Sequence, residues 1–451
     1  MTVPVVTGSA TEAALRSLEA IAGSDRSEVW IALRPAADVL ADAAAVDARV
    51  AAGEVLPLAG RTLAVKNNID VAGLRTTAGC PSYGSVPSAS APVVQRLVDA
   101  GCVVVGVTNL DQFATGLVGT RSPYGAVRNA WHPERVSGGS SSGSGVAVAL
   151  GLVDLSLGTD TAGSGRVPAA LNGIVGLKPT RGMVPTTGVV PACRSFDCVT
   201  VFARELSLAS AALAVMAGPD AGDPDSFRPV TSGWSGVSGT APSPWSPGCG
   251  RAPRVAVPRG VDLEAMDADG RAAFARAVSL VAASGADVVE VDLQPFLATA
   301  RLLYDGAFVA ERYAAVGEFV DAHRAEVDPT VGGIISAARD LPAHRLVADT
   351  EQLARMRVHT ASLLAGVDAL VVPTVPAHPT LAEVAAAPVA VNSRLGTYTN
   401  FCNLLDYCGV AVPVPGAGEA FGTTVPFGVT VMTPAFGDGV AAGLAGLLAH
   451  E

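Results

Sequence analysis

Three segments of the chain combine residue types that can carry out acyl transfer. Lys66 ends the apolar run in LAVKNNIDV, the segment GGSSSGSG spans residues 138–145, and Ser164 lies in GTDTAGSGRVPAA at residues 158–170. Each segment alone has an ordinary structural explanation. Apolar strands often end in a lysine that reaches solvent, and Gly/Ser runs often form loops or phosphate cradles.

The Gly/Ser-rich segment does not match the known phosphate-binding patterns. A Walker loop needs a lysine directly after its last glycine, and none follows residues 138–145. The dinucleotide fingerprint Gly-x-Gly-x-x-Gly, with its downstream acidic residue, cannot be placed either. The serines therefore remain candidates for a nucleophile, and Lys66 is a candidate for its base.

A lysine can act as that base only in its neutral form. A serine hydroxyl is unreactive at its own pKa and needs a proton acceptor within hydrogen-bond reach. Burial in an apolar pocket disfavours the ammonium cation and lowers the pKa of a lysine. Because Lys66 ends a run typical of a buried strand, we expect burial to lower its pKa.

The elements that position these residues alternate between strands and helices. Short apolar runs separated by turn residues begin at Leu58 and recur at 102–110 and 151–161. The stretch SGVAVALG, which follows the Gly/Ser-rich segment, favours the start of a helix. This alternation is typical of an α/β fold around a mostly buried sheet.

Periodicity along the rest of the chain predicts further elements. Helical spacing of apolar residues occurs at 11–50, at 267–284 and through most of 295–365. Short apolar runs predict strands at 254–260 and 367–376.

We interpret residues 1–451 as a single domain whose α/β core is interrupted by a largely helical insert that covers the active site. Its four parts are an N-terminal part with the catalytic core at 1–217, a Gly/Pro/Ser-rich loop at 218–252, the mostly helical insert at 253–365 and a return to the core at 366–451.

Composition narrows the classes of partner and cofactor. The formal net charge is −11 without a basic patch, so we expect no nucleic acid and no membrane as partner. The seven cysteines form no Cys-x-x-Cys pair and the six histidines are scattered, so we expect reduced thiols, no metal and no other cofactor. Without a signal-peptide pattern or a long apolar run, the sequence predicts a soluble cytoplasmic protein.

The three chemical segments together resemble the signature of a known enzyme family. GGSSSGSG, the later serine of DTAGSGRVPAA and the upstream Lys66 form a spaced pattern that is similar to that of the amidase-signature family, over nearly the whole chain. The resemblance implies a central mixed β-sheet covered by helices on both faces. It also implies that Ser164 is the acylated nucleophile and Lys66 the general base. Ser140, after a cis peptide bond from Gly139, would relay the proton between them.

The same resemblance implies an oxyanion hole in the nucleophile loop. We expect the consecutive backbone N–H groups of Thr161, Ala162, Gly163 and Ser164 to receive the developing charge. Loss of one such donor typically costs about 3 kcal/mol of transition-state stabilisation. Ser140 would then return the proton to the leaving nitrogen, ammonia would depart, and water would reverse the sequence.

Four residues near these serines need separate interpretation. Ser142 and Ala162 stand where the family more often has glycine, and neither change removes a reacting atom. Asp160 and Arg166 flank the nucleophile, and we interpret them as a structural pair that braces its loop.

Three further segments resemble one subfamily, the allophanate hydrolases, which release ammonia from N-carboxyurea. An anionic planar substrate needs a carboxylate binder, for which a bidentate arginine is best suited. Tyr304 and Arg312 are eight residues apart in the helical insert, which predicts one helix face, and the subfamily's binding pair has this spacing. Arg121 is a second candidate for the carboxylate or the ureido oxygens. The segments are 108–125, 188–203 and 392–413.

Several alternatives remain open from the sequence. The substrate can instead be a malonamate-like or carboxybiuret-like amide. A subunit of a glutamine-dependent tRNA amidotransferase and an idle scaffold on the same fold are further alternatives. Allophanate hydrolases commonly carry a C-terminal domain linked to decarboxylation, whereas this sequence ends at Glu451. If that domain is absent, we expect the first product to lose CO2 spontaneously or on another protein. The resemblance also implies a homodimer.

Overall fold

A computed structural model describes residues 8–227 and 249–449 of the chain. Within these residues, eleven strands form one mixed sheet. The strands are β1 (Trp30–Leu33), β2 (Thr62–Lys66), β3 (Val103–Thr108), β4 (Leu155–Asp160), β5 (Val175–Lys178), β6 (Cys198–Ala203), β7 (Arg254–Pro258), β8 (Asp287–Val291), β9 (Ala369–Pro373), β10 (Tyr407–Pro413) and β11 (Gly428–Pro434).

The helices lie between these strands and cover the sheet. They are α1 (Ala10–Ala22), α2 (Ala36–Ala51), α3 (Pro92–Asp99), α4 (Ser142–Ala149), α5 (Val167–Asn172), α6 (Leu206–Met216), α7 (Ala268–Ala283), α8 (Gln294–Asp305), α9 (Ala310–Ala322), α10 (Pro329–Ser336), α11 (Ala343–Leu363), α12 (Leu381–Ala386), α13 (Pro388–Leu395), α14 (Asn400–Leu404) and α15 (Asp438–Ala449).

The sheet has the order β1-β3-β2-β4-β6-β5-β10-β11-β9-β7-β8. Strands β3, β2 and β4 are neighbours and run parallel, whereas β6, β5, β10 and β11 continue the sheet with antiparallel pairs. Because parallel strands end at the same edge, residues that follow β2, β3 and β4 lie close together. The predicted mixed sheet is therefore confirmed. The residues at this edge are the candidates for a functional site.

Both faces of the neighbouring strands β2, β3 and β4 are buried, as the continuous apolar runs predict. Leu63 and Val65 of β2 pack in one core cluster together with residues of α3 and α6. Ala64, between them, packs in a second cluster with residues of α1, α2 and α4. Alternate side chains of a strand point to opposite faces, so these clusters lie on the two sides of the sheet.

The predicted elements at 254–260, 267–284 and 367–376 are confirmed as β7, α7 and β9. The helical periodicity at 11–50 hides one strand, because β1 separates α1 from α2 and pairs antiparallel with β3. Four residues are too few to show a clear alternation of apolar and polar positions. An antiparallel edge strand is therefore the element that the pattern misses here.

The segment predicted as a mostly helical insert at 253–365 is mostly helical, and it also contains one strand that the sequence did not predict, β8. Helices α7 to α11 do account for most of it, but β7 and β8 extend the central sheet in parallel with β9. This segment is therefore built into the sheet. Of the loop predicted at 218–252, residues 228–248 lie outside the described part of the chain.

In residues 8–227 and 249–449, no helix is long and apolar enough to cross a membrane. Six of the seven cysteines are buried.

Candidate active site

Lys66 is the last residue of β2, and its ammonium group lies at the parallel-strand edge of the sheet. The side chain is fully buried. Its Nζ donates to Ser140 Oγ at 2.8 Å and to Thr159 Oγ1 at 2.7 Å. The structure thus brings together Lys66 and Ser140, which are far apart in sequence. It also adds Thr159, near the end of β4, which sequence reasoning missed.

Burial lowers the pKa of Lys66 from 10.5 to about 7. The carboxylates of Asp111, Asp160 and Asp197 act in the opposite direction, and the positive charge of Arg312 lowers the pKa further. An amine with this pKa is about half neutral at pH 7 and mostly neutral one pH unit higher. Lys66 can therefore accept a proton, as a general base must.

The Gly/Ser-rich segment is buried and packs against the end of β4. Its peptide bond between Gly139 and Ser140 is cis, as the family resemblance implies. Ser141 Oγ donates to the carbonyl of Thr159 at 3.1 Å, which ties the segment to the end of β4. A Cβ atom at Gly139 would lie 2.1 Å from Asp111 Oδ2, so a larger residue does not fit there. The glycines thus allow Ser140 to approach Lys66.

Asp160 and Arg166 form a closed ion pair under the nucleophile loop, as predicted. Both side chains are completely buried, and the guanidinium meets the carboxylate through two contacts of 3.0 Å. Burial alone would raise the pKa of Asp160, but Arg166 reverses the direction and holds it below its usual value. The carboxylate also accepts the amides of Gly163 at 2.8 Å and Gly165 at 3.0 Å. These bonds fix the loop that carries Ser164.

The same contacts correct one part of the predicted oxyanion hole. Because the Gly163 amide donates to Asp160, this N–H group is occupied and does not point at a developing oxyanion. The amides of Thr161, Ala162 and Ser164 have no hydrogen-bond partner within residues 8–227 and 249–449. Gly163 is needed for another reason, since a Cβ atom there would lie 2.4 Å from Thr399 Oγ1.

Ser164 itself is buried, and its hydroxyl has no hydrogen-bond partner in the described part of the chain. The contact from Lys66 to Ser140 is therefore present, whereas no hydrogen bond joins Ser140 to Ser164. A second acid, Asp197, accepts the Thr161 hydroxyl at 2.5 Å and so braces the start of the nucleophile loop. No sequence pattern pointed to this carboxylate.

Tyr304 and Arg312 meet, but not on one helix as predicted. Tyr304 is near the end of α8 and Arg312 is in the first turn of α9, and the chain breaks helical geometry at Gly306 between them. Arg312 Nη2 lies 3.3 Å from Tyr304 Oη, and the guanidinium carbon lies 5.4 Å from the centre of the tyrosine ring. The helix break, rather than the helix period, brings the two side chains together.

Arg312 is buried without an opposite charge. Its side chain is 2% exposed. Its described hydrogen bonds go to neutral acceptors, Thr115 Oγ1 at 2.9 Å and the Tyr304 hydroxyl. No carboxylate of residues 8–227 or 249–449 forms an ion pair with it. A buried cation without a counter-charge is costly, so this corner of the site favours an anion.

Arg121 is also buried, but its guanidinium is used differently. Nη1 donates to the carbonyl of Thr115 at 3.0 Å, and Nη2 donates to the carbonyl of Pro388 at 2.8 Å. Its backbone amide donates to Asp111 Oδ1 at 2.9 Å. Two of its donor groups are thus already taken by backbone carbonyls, which argues for a role in holding this loop.

Known proteins resemble this chain in both sequence and fold. The model of the family described as Amidase matches residues 10–440. Over 441 residues the chain is 42% identical to urea amidolyase from Saccharomyces cerevisiae, which covers 95% of this chain and 23% of that protein. The solved structure of Kluyveromyces lactis allophanate hydrolase superposes with a TM-score of 0.88 at 40% identity, covering 98% of this chain and 71% of that one.

A third relative is named as an amidotransferase rather than a hydrolase. A glutamyl-tRNA(Gln) amidotransferase component from Acidothermus cellulolyticus is 42% identical over 291 residues, which cover 64% of this chain and 56% of that protein. The chain spans about a quarter of the length of the S. cerevisiae urea amidolyase. It belongs to the amidase-signature family and is homologous to the allophanate hydrolase part of urea amidolyase.

Proposed function

We propose that this amidase-signature enzyme hydrolyses a small carboxylated amide, and that the substrate is allophanate. The single observation that carries the substrate class is Arg312, a buried guanidinium without a described carboxylate partner, beside the hydroxyl of Tyr304. A substrate carboxylate would supply the missing charge and meet both groups. The similarity to K. lactis allophanate hydrolase supports allophanate within this class.

The proposed reaction proceeds through an acyl-enzyme on Ser164. Lys66, neutral at the pH of reaction, takes a proton from Ser140, and Ser140 takes one from Ser164 as its oxygen attacks the amide carbon. Catalytic hydrogen bonds commonly tighten only in the substrate complex, so the missing contact between the two serines is expected to form there. The oxyanion would be received by the amides of Thr161, Ala162 and Ser164.

The second half of the reaction returns the protons. Ser140 gives its proton to the leaving nitrogen, ammonia departs, and the Lys66 ammonium returns its proton to Ser140. Water then attacks the acyl group and passes a proton through Ser140 to Lys66. The bond between the acyl group and Ser164 breaks, N-carboxycarbamate is freed, and Lys66 returns the proton through Ser140 to Ser164. No step needs a metal ion or another cofactor.

The direct experiment is ammonia release from allophanate by purified protein, with Ser164→Ala as the matched inactive control. We expect release by the wild type and none by the variant. A panel of malonamate, carboxybiuret and neutral amides extends the assay. Release from malonamate or carboxybiuret without release from allophanate would replace the proposed substrate by its carboxylated competitor.

The catalytic role of Ser164 has its own test, because an idle scaffold would keep the fold. A fluorophosphonate probe reacts with an activated serine, and intact-mass spectrometry reads the adduct. We expect one adduct on the wild type and none on Ser164→Ala. Folded wild-type protein that stays unlabelled would favour the scaffold.

We propose further that the protein is a cytoplasmic homodimer. The homodimer assignment rests on the family resemblance. Sedimentation equilibrium on purified protein gives the oligomeric mass, and a monomer at micromolar concentration would contradict it.

A further inference from the structure

The loop after β3 joins the catalytic core to the helical segment formed by α8, α9 and α10. Residues 111–121, called here the docking segment, contact this helical segment through successive side chains. Gln112 Oε1 accepts the amide of Asp328 at 2.6 Å, beyond the end of α9. Phe113 packs edge-to-face on Phe319 of α9, with ring centres 6.0 Å apart. The docking segment therefore fixes where α9 lies.

Thr115 of the docking segment contacts the arginine that the proposed function depends on. Its Oγ1 accepts from Arg312 Nη1 at 2.9 Å and donates to the carbonyl of Phe113 at 3.1 Å. A hydroxyl has one proton, and here that proton forms the hydrogen bond to the carbonyl of Phe113. The oxygen lone pairs therefore face Arg312, and the hydroxyl cannot rotate without losing one of the two bonds.

Arg121 holds Thr115 from the other side. Its Nη1 donates to the carbonyl of Thr115 at 3.0 Å, so Thr115 bonds the two buried arginines with two different oxygens. The backbone between them is also fixed. Phe113 and Ala114 have left-handed φ angles of 50° and 52°, which non-glycine residues adopt only when neighbouring contacts require it.

The amide bonds of these two residues supply that constraint. Phe113 N donates to the carbonyl of Ala78 at 2.8 Å, and Ala114 N donates to the carbonyl of Asp111 at 3.0 Å. The turn therefore presents the hydroxyl of Thr115 to α9 in one orientation.

We propose that Thr115 is the positioning residue that sets the preference for anionic substrates. It holds the guanidinium of Arg312 in the direction from which it meets the substrate carboxylate, and Arg121 acts through Thr115 rather than on the substrate. This inference rests on the proposed function. It goes beyond it by placing the control of charge selectivity in the core loop, outside the helical segment that carries Arg312.

The test compares Thr115→Val, which keeps the shape and removes the hydroxyl, with Thr115→Ser, which keeps the hydroxyl. Malonamate and malonamide serve as substrates, since they differ by a carboxylate against a neutral amide. For Thr115→Val we expect kcat/KM on malonamate to fall about 10- to 100-fold, mostly through KM, which is the usual effect of losing a hydrogen bond to a charged group. On malonamide the fall should be about threefold or less, and Thr115→Ser should restore most of the selectivity. Equal losses on both substrates, or no loss on malonamate, would overturn the inference.

A binding measurement separates this inference from the identity of the substrate. Malonate is expected to protect Ser164 of the wild type from fluorophosphonate labelling, and Thr115→Val should require at least about tenfold more malonate. If wild-type protein releases no ammonia from allophanate but this shift is found, the proposed substrate is wrong and the role of Thr115 stands. If Thr115→Val labels like the wild type and malonate protects both equally, Thr115 does not position Arg312. Should Thr115→Val fail to fold, Thr115→Ala carries the same comparison.

Discussion

The nucleophile loop and the corner of the site at the start of α9 each bury an arginine, and the two arginines differ in their partners. Arg166 meets Asp160 in a closed ion pair and also donates to the side chain of Asn403. Arg312 has only the hydroxyls of Thr115 and Tyr304 among the described residues. A closed pair needs no ligand and braces a loop, whereas a buried cation without a counter-charge favours the binding of an anion.

Two buried lysines repeat this contrast. Burial lowers the pKa of Lys66 to about 7, although three carboxylates oppose the shift. For Lys178, burial also acts to lower the pKa, but the nearby thiols of Cys198 and Cys402 and the carboxylate of Asp160 outweigh it and raise the value. Lys178 stays a cation that donates to the carbonyl of Pro179, while Lys66 can exchange a proton. Burial thus leaves one of these lysines charged and the other able to accept a proton.

The largest effect should come from the nucleophile, whose loss does not depend on substrate charge. We expect Ser164→Ala to lower kcat by roughly 10⁶-fold, as removal of a nucleophilic serine does in other hydrolases. Both malonamate and malonamide should be affected to the same extent, since the proposed attack by Ser164 is on the amide carbon of each. Steady-state ammonia release measures both. A variant that loses one substrate and keeps the other would show that Ser164 takes part in charge recognition.

The buried ion pair between Asp160 and Arg166 should contribute to the free energy of unfolding. Asp160→Asn leaves the buried Arg166 without its counter-charge, and breaking such a pair typically costs about 3–5 kcal/mol of unfolding free energy. Urea unfolding followed by circular dichroism measures this loss. The matched control is Asp42→Asn, which breaks a surface pair with Arg34 and should cost about 1 kcal/mol or less. Equal losses for the two variants would remove the distinction between the buried pair and the surface pair.

The lowered pKa of Lys66 predicts how kcat/KM depends on pH. Below the pKa of Lys66, which is about 7, its amine is protonated and cannot accept a proton from Ser140. We therefore expect kcat/KM on malonamide, which does not titrate in this range, to rise about tenfold per pH unit below 7 and to level off above it. Circular dichroism at each pH checks that the fold is intact. A flat profile between about pH 5.5 and 8.5 would mean that Lys66 is not the base.

The sequence predicts which residues lie in the candidate site better than it predicts the contacts between them. Lys66, Ser140 and Ser164 stand out because each lies in a patterned segment, and the predicted burial of Lys66 is confirmed. Thr159 and Thr115 were not predicted, because a threonine that accepts one hydrogen bond has no pattern in its neighbourhood. Their roles depend on which strand ends are neighbours, which only the sheet order reveals.

Two errors have the same physical origin. The single helix face predicted for Tyr304 and Arg312 is wrong because Gly306 ends α8, although the side chains still meet. The oxyanion donor predicted at Gly163 is wrong because Asp160 occupies that amide. In both cases the backbone takes a path that sequence spacing alone does not determine.

The most direct test of the contrast between the two arginines is the charge selectivity of Arg312→Ala. The control is Arg301→Ala, which removes an exposed arginine from α8 in the same helical segment. We predict that Arg312→Ala lowers kcat/KM on malonamate by about 30-fold or more, as loss of a buried charge partner does, and on malonamide by about threefold or less. Arg301→Ala should leave the ratio of the two values unchanged. Equal losses on malonamate and malonamide in Arg312→Ala would contradict the assignment of Arg312 as the carboxylate binder.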